Sequence, residues 1–88
     1  MGSYRIEFRG SAERDIRRVS PALIPGILRR IETLSDDPTP RQSLKVSGTD
    51  STYRLRVGDY RVIYEIDREE KAVVIYYVRH RREAYRHL

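Results

Sequence analysis

Arg54, Arg56 and Arg61 flank the dipeptide Gly58-Asp59, in a stretch whose alternate members are Tyr53, Leu55, Val57, Tyr60, Val62 and Tyr64. If Gly58-Asp59 is a two-residue hairpin turn, Val57 pairs with Tyr60, Leu55 with Val62 and Tyr53 with Tyr64, all on one side. The same register sets Arg56 opposite Arg61 on the other side, with Arg54 two residues farther along that outer face. Like charges facing each other across strands destabilise a hairpin by about a few tenths of a kcal/mol. An anion seated between them reverses the sign, because charge-assisted bidentate contacts to phosphate are among the stronger hydrogen bonds. The bland alternative is neutralisation by Glu65, or by Asp59 near the turn, since surface pairs of this kind are common. A patch kept for an anion also predicts that Arg61→Ala leaves the fold intact or relieves repulsion.

A second cluster lies in Val78 to His87, which holds Arg79, Arg81, Arg82, Arg86 and both histidines, His80 and His87. In a meander its strand neighbours Tyr60 to Ile66, so its end comes close to Arg61. Which of Arg79, His80 and Arg81 joins the outer face is left open, because a one-residue change of register moves every side chain to the other face. Of 18 cations, 16 are arginine and only Lys45 and Lys71 are lysine; six of the seven tyrosines lie from Tyr53 onward. Arginine forks match phosphate oxygens and stack on bases, and tyrosine offers bases a platform, so the pairing points toward nucleic acid. A surface shaped by genomic base composition or by heat is the competing explanation, and a solvated, fraying tail is the competing explanation for Arg82, Arg86 and His87.

Periodicity and turn signals give the elements that must position these residues. Tyr4 to Phe8 alternates, with Tyr4, Ile6 and Phe8 on one face, as a half-buried strand does. Ser11 is a candidate cap for a short helix over Ala12 to Val19, and Ser20-Pro21 repeats the start signal. Ile24, Ile27, Leu28, Ile31 and Leu34 then form a helical stripe, with Pro25 bending the helix or delaying its start. The turn-rich stretch Ser35 to Thr52 is expected to cross the surface as a connector. Tyr53 to Val57, Tyr60 to Ile66 and Ala72 to Val78 read as an antiparallel meander, and Arg82 to Leu88, too short to be a stable helix alone, is expected to dock on the domain as a short helix or tail. The expectation is an α+β domain of order β-α-α-β-β-β, its N-terminal helical hairpin packed on one face of an antiparallel sheet, with the other face available.

Eighty-eight residues leave room for one domain, 1–88, with a net charge of +5. The absence of cysteine excludes a disulfide framework and thiolate metal sites. No apolar run approaches the ~20 residues of a membrane span, and no basic segment followed by an apolar stretch opens the chain. A soluble, cytoplasmic protein is expected.

The stretch Tyr53-Arg-Leu-Arg-Val-Gly-Asp-Tyr-Arg-Val-Ile-Tyr-Glu-Ile-Asp67, then Val78-Arg-His-Arg-Arg-Glu-Ala-Tyr85, resembles the RelE branch of the RelE/ParE toxin superfamily of bacterial and archaeal toxin–antitoxin systems. Tyr4 to Phe8 and Ser11-Ala-Glu-Arg-Asp-Ile-Arg-Arg18 extend the resemblance to almost the whole chain. It implies a microbial RNase-like fold and a ribosome-dependent mRNA endonuclease, an mRNA interferase that cleaves in the ribosomal A site and inhibits translation, leaving a 2′,3′-cyclic phosphate and a 5′-hydroxyl. By matching motif, Arg54 and Arg56 fall where basic residues contact the message and Arg61 where an arginine binds the scissile phosphate. Arg81 and Tyr85 fall where the late arginine and tyrosine act, with Arg79 as the alternative for the late arginine.

That chemistry needs a base, an acid and fixed positive charge around a phosphorane-like transition state. Arginine is a poor base, and Arg54 and Arg56 stand where some family members have lysines, which leaves Tyr85 and His80 as the proton-transfer candidates, Tyr85 being favoured by the motif. No pair of closely spaced carboxylates or Asp/His metal cluster accompanies these candidates, so metal-independent cleavage without a cofactor is expected. The implied partners are the ribosome, mRNA and a cognate antitoxin, acidic at least in its toxin-binding region, with no membrane. The alternative is a ParE-like toxin that binds and poisons DNA gyrase without nuclease activity; a third reading is an RNA-binding domain that carries out no proton transfer.

Overall fold

The computed structural model describes residues 2–86, the last three by backbone alone. The elements are β1 (Arg5–Phe8), α1 (Gly10–Arg17), α2 (Ile24–Thr33), β2 (Ser43–Lys45), β3 (Thr52–Val57), β4 (Tyr60–Asp67), β5 (Ala72–His80) and α3 (Arg81–Arg86). One five-stranded sheet runs in the order β1-β5-β4-β3-β2. Ala12, Val19, Ile27, Ile31 and Leu34 from the helical segments pack against Leu55, Val62, Tyr64, Ile66, Val73, Ile75 and Val78 of the sheet. The helices thus cover one face, and the α+β architecture is the expected one.

The hairpin register is the expected one at every position: Val57 pairs with Tyr60, Arg56 with Arg61, Leu55 with Val62 and Tyr53 with Tyr64. Gly58 sits at a φ of 59°. A left-handed residue first in a two-residue turn matches the right-handed twist of the strands, and glycine adopts it without a Cβ clash.

Three features depart from the expectation. The sheet is mixed, because β1 joins β5 in parallel, with Ile6 beside Val73 and Phe8 beside Ile75; the two strands are separated by the whole chain between them, so no turn forces them antiparallel. The connector contains β2, whose Leu44 pairs with Arg54; three residues carry too little periodicity to announce a strand. Ser11 is not a cap: α1 starts at Gly10 after Arg9, and the Ser11 hydroxyl donates to the Tyr76 carbonyl at 2.6 Å. The second helix does begin late, with Pro25 in its first turn.

That Ser11 bond belongs to a larger device. β1 pairs with β5 only as far as Ile75, which leaves the edge of β5 beyond that point without a strand neighbour. The start of α1 supplies the missing partners. The Arg9 N–H donates to the Ile75 carbonyl at 2.9 Å, Ser11 reaches the next carbonyl, and the buried Asp15 carboxylate accepts the Val78 N–H at 3.0 Å. Across β5, Ile75 pairs with Tyr64 and Tyr77 with Ile63, so Tyr76 is an extra, bulged residue. The bulge lets Ile75 and Val78 both face the helices although they are three residues apart.

Asp15→Ala would leave the Val78 N–H buried without an acceptor, at about 1–3 kcal/mol. The melting temperature is expected to fall by roughly 5–15 °C, given the size of the domain, and by less in Ser11→Ala; thermal melts followed by circular dichroism check both. Burial pushes the Tyr64 phenol, which donates to the Pro38 carbonyl at 2.6 Å, from 10.0 up to about 12. The folded chain holds this proton more tightly than the unfolded chain, so its contribution is whole below pH 10 and is lost as pH rises toward about 12. Denaturant titrations across that window are expected to show a loss on the order of 2 kcal/mol in the parent and a flatter profile in Tyr64→Phe.

Candidate nucleic-acid interface

The face of the hairpin turned away from the helices carries Arg54, Arg56 and Arg61, and the structure brings a fourth arginine to them. Arg41, Gln42, Leu44, Arg54, Arg56 and Arg61 line one open pocket of about 300 Å³. The short strand β2 is responsible. Its pairing sets Leu44 beside Arg54, and the Arg56 N–H donates to the Gln42 carbonyl at 3.1 Å, which fixes the segment carrying Arg41 along the edge of β3. Sequence reasoning missed Arg41, because only the pairing of β2 gives it a place near the hairpin.

Arg61 differs from its neighbours. It is 8% exposed, and its Nη1 donates to the carbonyls of Gly58 at 3.0 Å and Tyr60 at 2.9 Å. The guanidinium is therefore built into the turn, and the expectation that its removal relieves repulsion is corrected: the charge sits where backbone carbonyls offset it. Glu65, one of the carboxylates considered for neutralising the patch, lies within hydrogen-bonding reach of the Thr52 hydroxyl at 3.4 Å and the Tyr76 hydroxyl at 3.3 Å. It lines a separate, partly acidic recess with Asp50 and Asp67 at the other end of the sheet.

The bulge decides the faces of the second cluster. Arg79 pairs with Arg61 on the outer face, and His80 pairs with Tyr60 on the helix side. Arg79 lies with Cζ 4.2 Å from the centre of the Tyr77 ring, and its Nε donates to Asp15 Oδ2 at 3.3 Å. His80 meets the edge of Tyr60 at 5.7 Å between ring centres, and its Nδ1 accepts the Arg82 N–H at 3.4 Å. It lines a groove with Leu23, Ile27, Val57 and Tyr60, across the sheet from Arg61. The Arg81 N–H donates to the Asp59 carbonyl at 2.7 Å, which fastens the first turn of α3 to the hairpin turn. The Tyr85 side chain lies outside the described part of the structure, as do His87 and Leu88. Among the described residues, no three His, Cys, Asp or Glu side chains form a group that could hold a metal ion.

Known proteins are similar to this chain in both sequence and geometry. Residues 6–85 match the family model of the ParE toxin of type II toxin–antitoxin systems, parDE. The chain belongs to the RelE/ParE toxin family. Toxin RelG of Mycobacterium tuberculosis is 31% identical to it over 84 residues, 94% of this chain and 97% of that protein. Among solved structures, the toxin-antitoxin complex RelBE2 from Mycobacterium tuberculosis is similar at a TM-score of 0.79 and 30% identity, covering 89% of this chain and 98% of that chain. The archaeal RelE-RelB complex from Pyrococcus horikoshii OT3 is similar at a TM-score of 0.79 and 28% identity, covering 90% of this chain and 96% of that chain. This RelE/ParE toxin is thus RelE-like and is the toxin of a type II toxin–antitoxin system.

The contrast between a built-in Arg61 and an exposed Arg56 has a measurable result. Arg61→Ala is expected to cost about 1–3 kcal/mol in urea denaturation, and Arg56→Ala to stay within about 0.5 kcal/mol of the parent.

Proposed function

We propose that this RelE/ParE toxin is a ribosome-dependent mRNA endonuclease that cleaves without a metal ion in the ribosomal A site, in the cytoplasm. The observation that carries the reading is the convergence of Arg41, Arg54, Arg56 and Arg61 on one open pocket. A folded domain gains little from four guanidiniums in one place, whereas a phosphodiester backbone matches them. Arg61, held by two backbone carbonyls at the turn, is positioned in advance to stabilise charge developing on the scissile phosphate. Arg54, Arg56 and Arg41 hold neighbouring phosphates, and Arg79 and Arg81 extend the basic surface from the end of β5 into α3.

In the reaction the ribose 2′-oxygen attacks the adjacent phosphorus while a base takes its proton. The bond from phosphorus to the 5′-oxygen breaks, and an acid protonates that oxygen, so the products are a 2′,3′-cyclic phosphate and a 5′-hydroxyl. The separation of His80 from Arg61 by the sheet supports Tyr85 as the proton-transfer residue. The resemblance to RelBE2 and RelE-RelB complexes supports a cognate antitoxin, acidic where it meets the arginine pocket. The description of the matching family model as a ParE toxin favours the second reading, a gyrase-binding toxin without nuclease activity.

Mapping the ends of a short message after incubation with ribosomes and the toxin, beside a gyrase supercoiling assay, separates the two. Cleavage with a cyclic phosphate end is expected, falling by about two to four decades in single-turnover rate in Tyr85→Phe, with ribosome affinity little changed. Intact message together with inhibited supercoiling would establish the gyrase reading instead. A dead His80→Ala beside an active Tyr85→Phe would move the proton transfer to His80.

A further inference from the structure

Asp15 is a buried carboxylate on α1, and its Oδ2 receives two donors from consecutive residues of β5: the Val78 N–H at 3.0 Å and Arg79 Nε at 3.3 Å. The first bond belongs to the edge of the sheet and is explained by the fold. The second is not required by it, since Arg79 lies on the outer face and keeps 27% of its side-chain surface exposed. Water could solvate this guanidinium as it does other exposed arginines. Instead the group is fixed from two directions, by the carboxylate on its Nε and by the Tyr77 ring 4.2 Å from its Cζ. A guanidinium clamped at Nε and backed by a ring presents the fork of its two terminal nitrogens, the edge that receives two phosphate oxygens. Its Cα partner across the ladder is Arg61.

We propose that Asp15 is a positioning residue for RNA binding: it holds Arg79 in a fixed orientation beside Arg61, so that the Arg79 fork takes a backbone phosphate of the message. The proposal rests on the reading of the ligand as RNA given above. It makes one carboxylate serve two ends, closing the sheet edge through Val78 and aiming a cation through Arg79. It also attaches part of the RNA-binding surface to helix α1, on the far side of the strand.

The sign of one measurement separates this role from general electrostatics. Removing a negative charge from the protein strengthens its binding to a polyanion if charge alone matters. If Asp15 aims Arg79, removing the charge weakens binding. Asp15→Asn keeps an amide oxygen for the Val78 N–H and is the first variant to test, by fluorescence anisotropy of a labelled short single-stranded RNA across salt concentrations. Both Asp15→Asn and Arg79→Ala are expected to bind about tenfold more weakly than the parent, the worth of one charge-assisted contact. The double variant is expected to be no weaker than Arg79→Ala, because the two residues act as one unit. Arg79→Ala is also expected to lower the slope of log affinity against log salt by about 0.7.

Arg79→Lys, which leaves the Asp15 bond to Val78 in place, keeps the test open if Asp15→Asn fails to fold. A lysine ammonium has neither a separate Nε edge to give the carboxylate nor a fork for the phosphate, so Arg79→Lys is expected to keep the salt slope of the parent and yet bind severalfold more weakly than it. Parent-like or tighter binding by folded Asp15→Asn overturns the proposal. So do parent-like binding by Arg79→Lys, independent losses in the double variant, and a parent that does not bind the RNA. A parent that binds the RNA but never cleaves it counts against the nuclease reading alone, and the affinities still decide the role of Asp15.

Discussion

Strand β5 cannot stand at the edge of the sheet unprotected beyond Ile75, and the rest of the molecule is arranged around that constraint. It is the most apolar strand and lies between β1 and β4. Its backbone must find partners on both sides, because unpaired buried amides and carbonyls are costly. β1 supplies them for the first half of the strand and the start of α1 supplies them for the second, through Arg9, Ser11 and Asp15. The path of α1 is therefore set by hydrogen bonds as well as by the apolar residues Ala12 and Val19 that it buries. With α1 tied along β5, the helical hairpin can lie only on one face, and the opposite face is left to the arginines.

That face illustrates how a fold accommodates concentrated charge. Arg61 is buried against carbonyls, Arg79 lies against a ring and a carboxylate, and Arg56 is left to solvent. These are three different solutions within one small surface, and only the exposed residue leaves the interior uninvolved. Cations fixed by the protein lose less freedom when they bind an anion than mobile ones do, so rigidity at Arg61 and Arg79 favours binding as well as folding.

The fold is legible in the sequence where one local feature fixes a geometry. Gly58-Asp59 sets a turn, the turn sets the register, and the register sets every pair from Val57 and Tyr60 to Tyr53 and Tyr64. The stripe from Ile24 to Leu34 announces the second helix in the same way. Features that depend on distant chain are not legible. The parallel pairing of β1 and the capture of the Ser11 hydroxyl by Tyr76 each join residues far apart in sequence, and the short β2 that delivers Arg41 is too brief to show a period. Alternation places Arg61 on the outer face but says nothing of its depth there, so its burial against the turn carbonyls comes only from the structure. The faces of Arg79 and His80 turn on a bulge that no residue pattern in Ile75 to Val78 announces.

The bulge also bears on how this chain tolerates changes in length. Tyr76 has no counterpart on β4, so the ladder from Tyr77 to His80 would keep its partners if that single residue were lost, with Ile75 and Tyr77 becoming consecutive rungs. Loss of Val78, Arg79 or His80 has no such remedy, for closing the gap at the bulge moves Tyr77 from the outer face onto the helix side of the sheet. Position 76 is thus a spare link in an otherwise gapless chain, and the spacing of this strand is inherited information in the same sense as the identity of its residues.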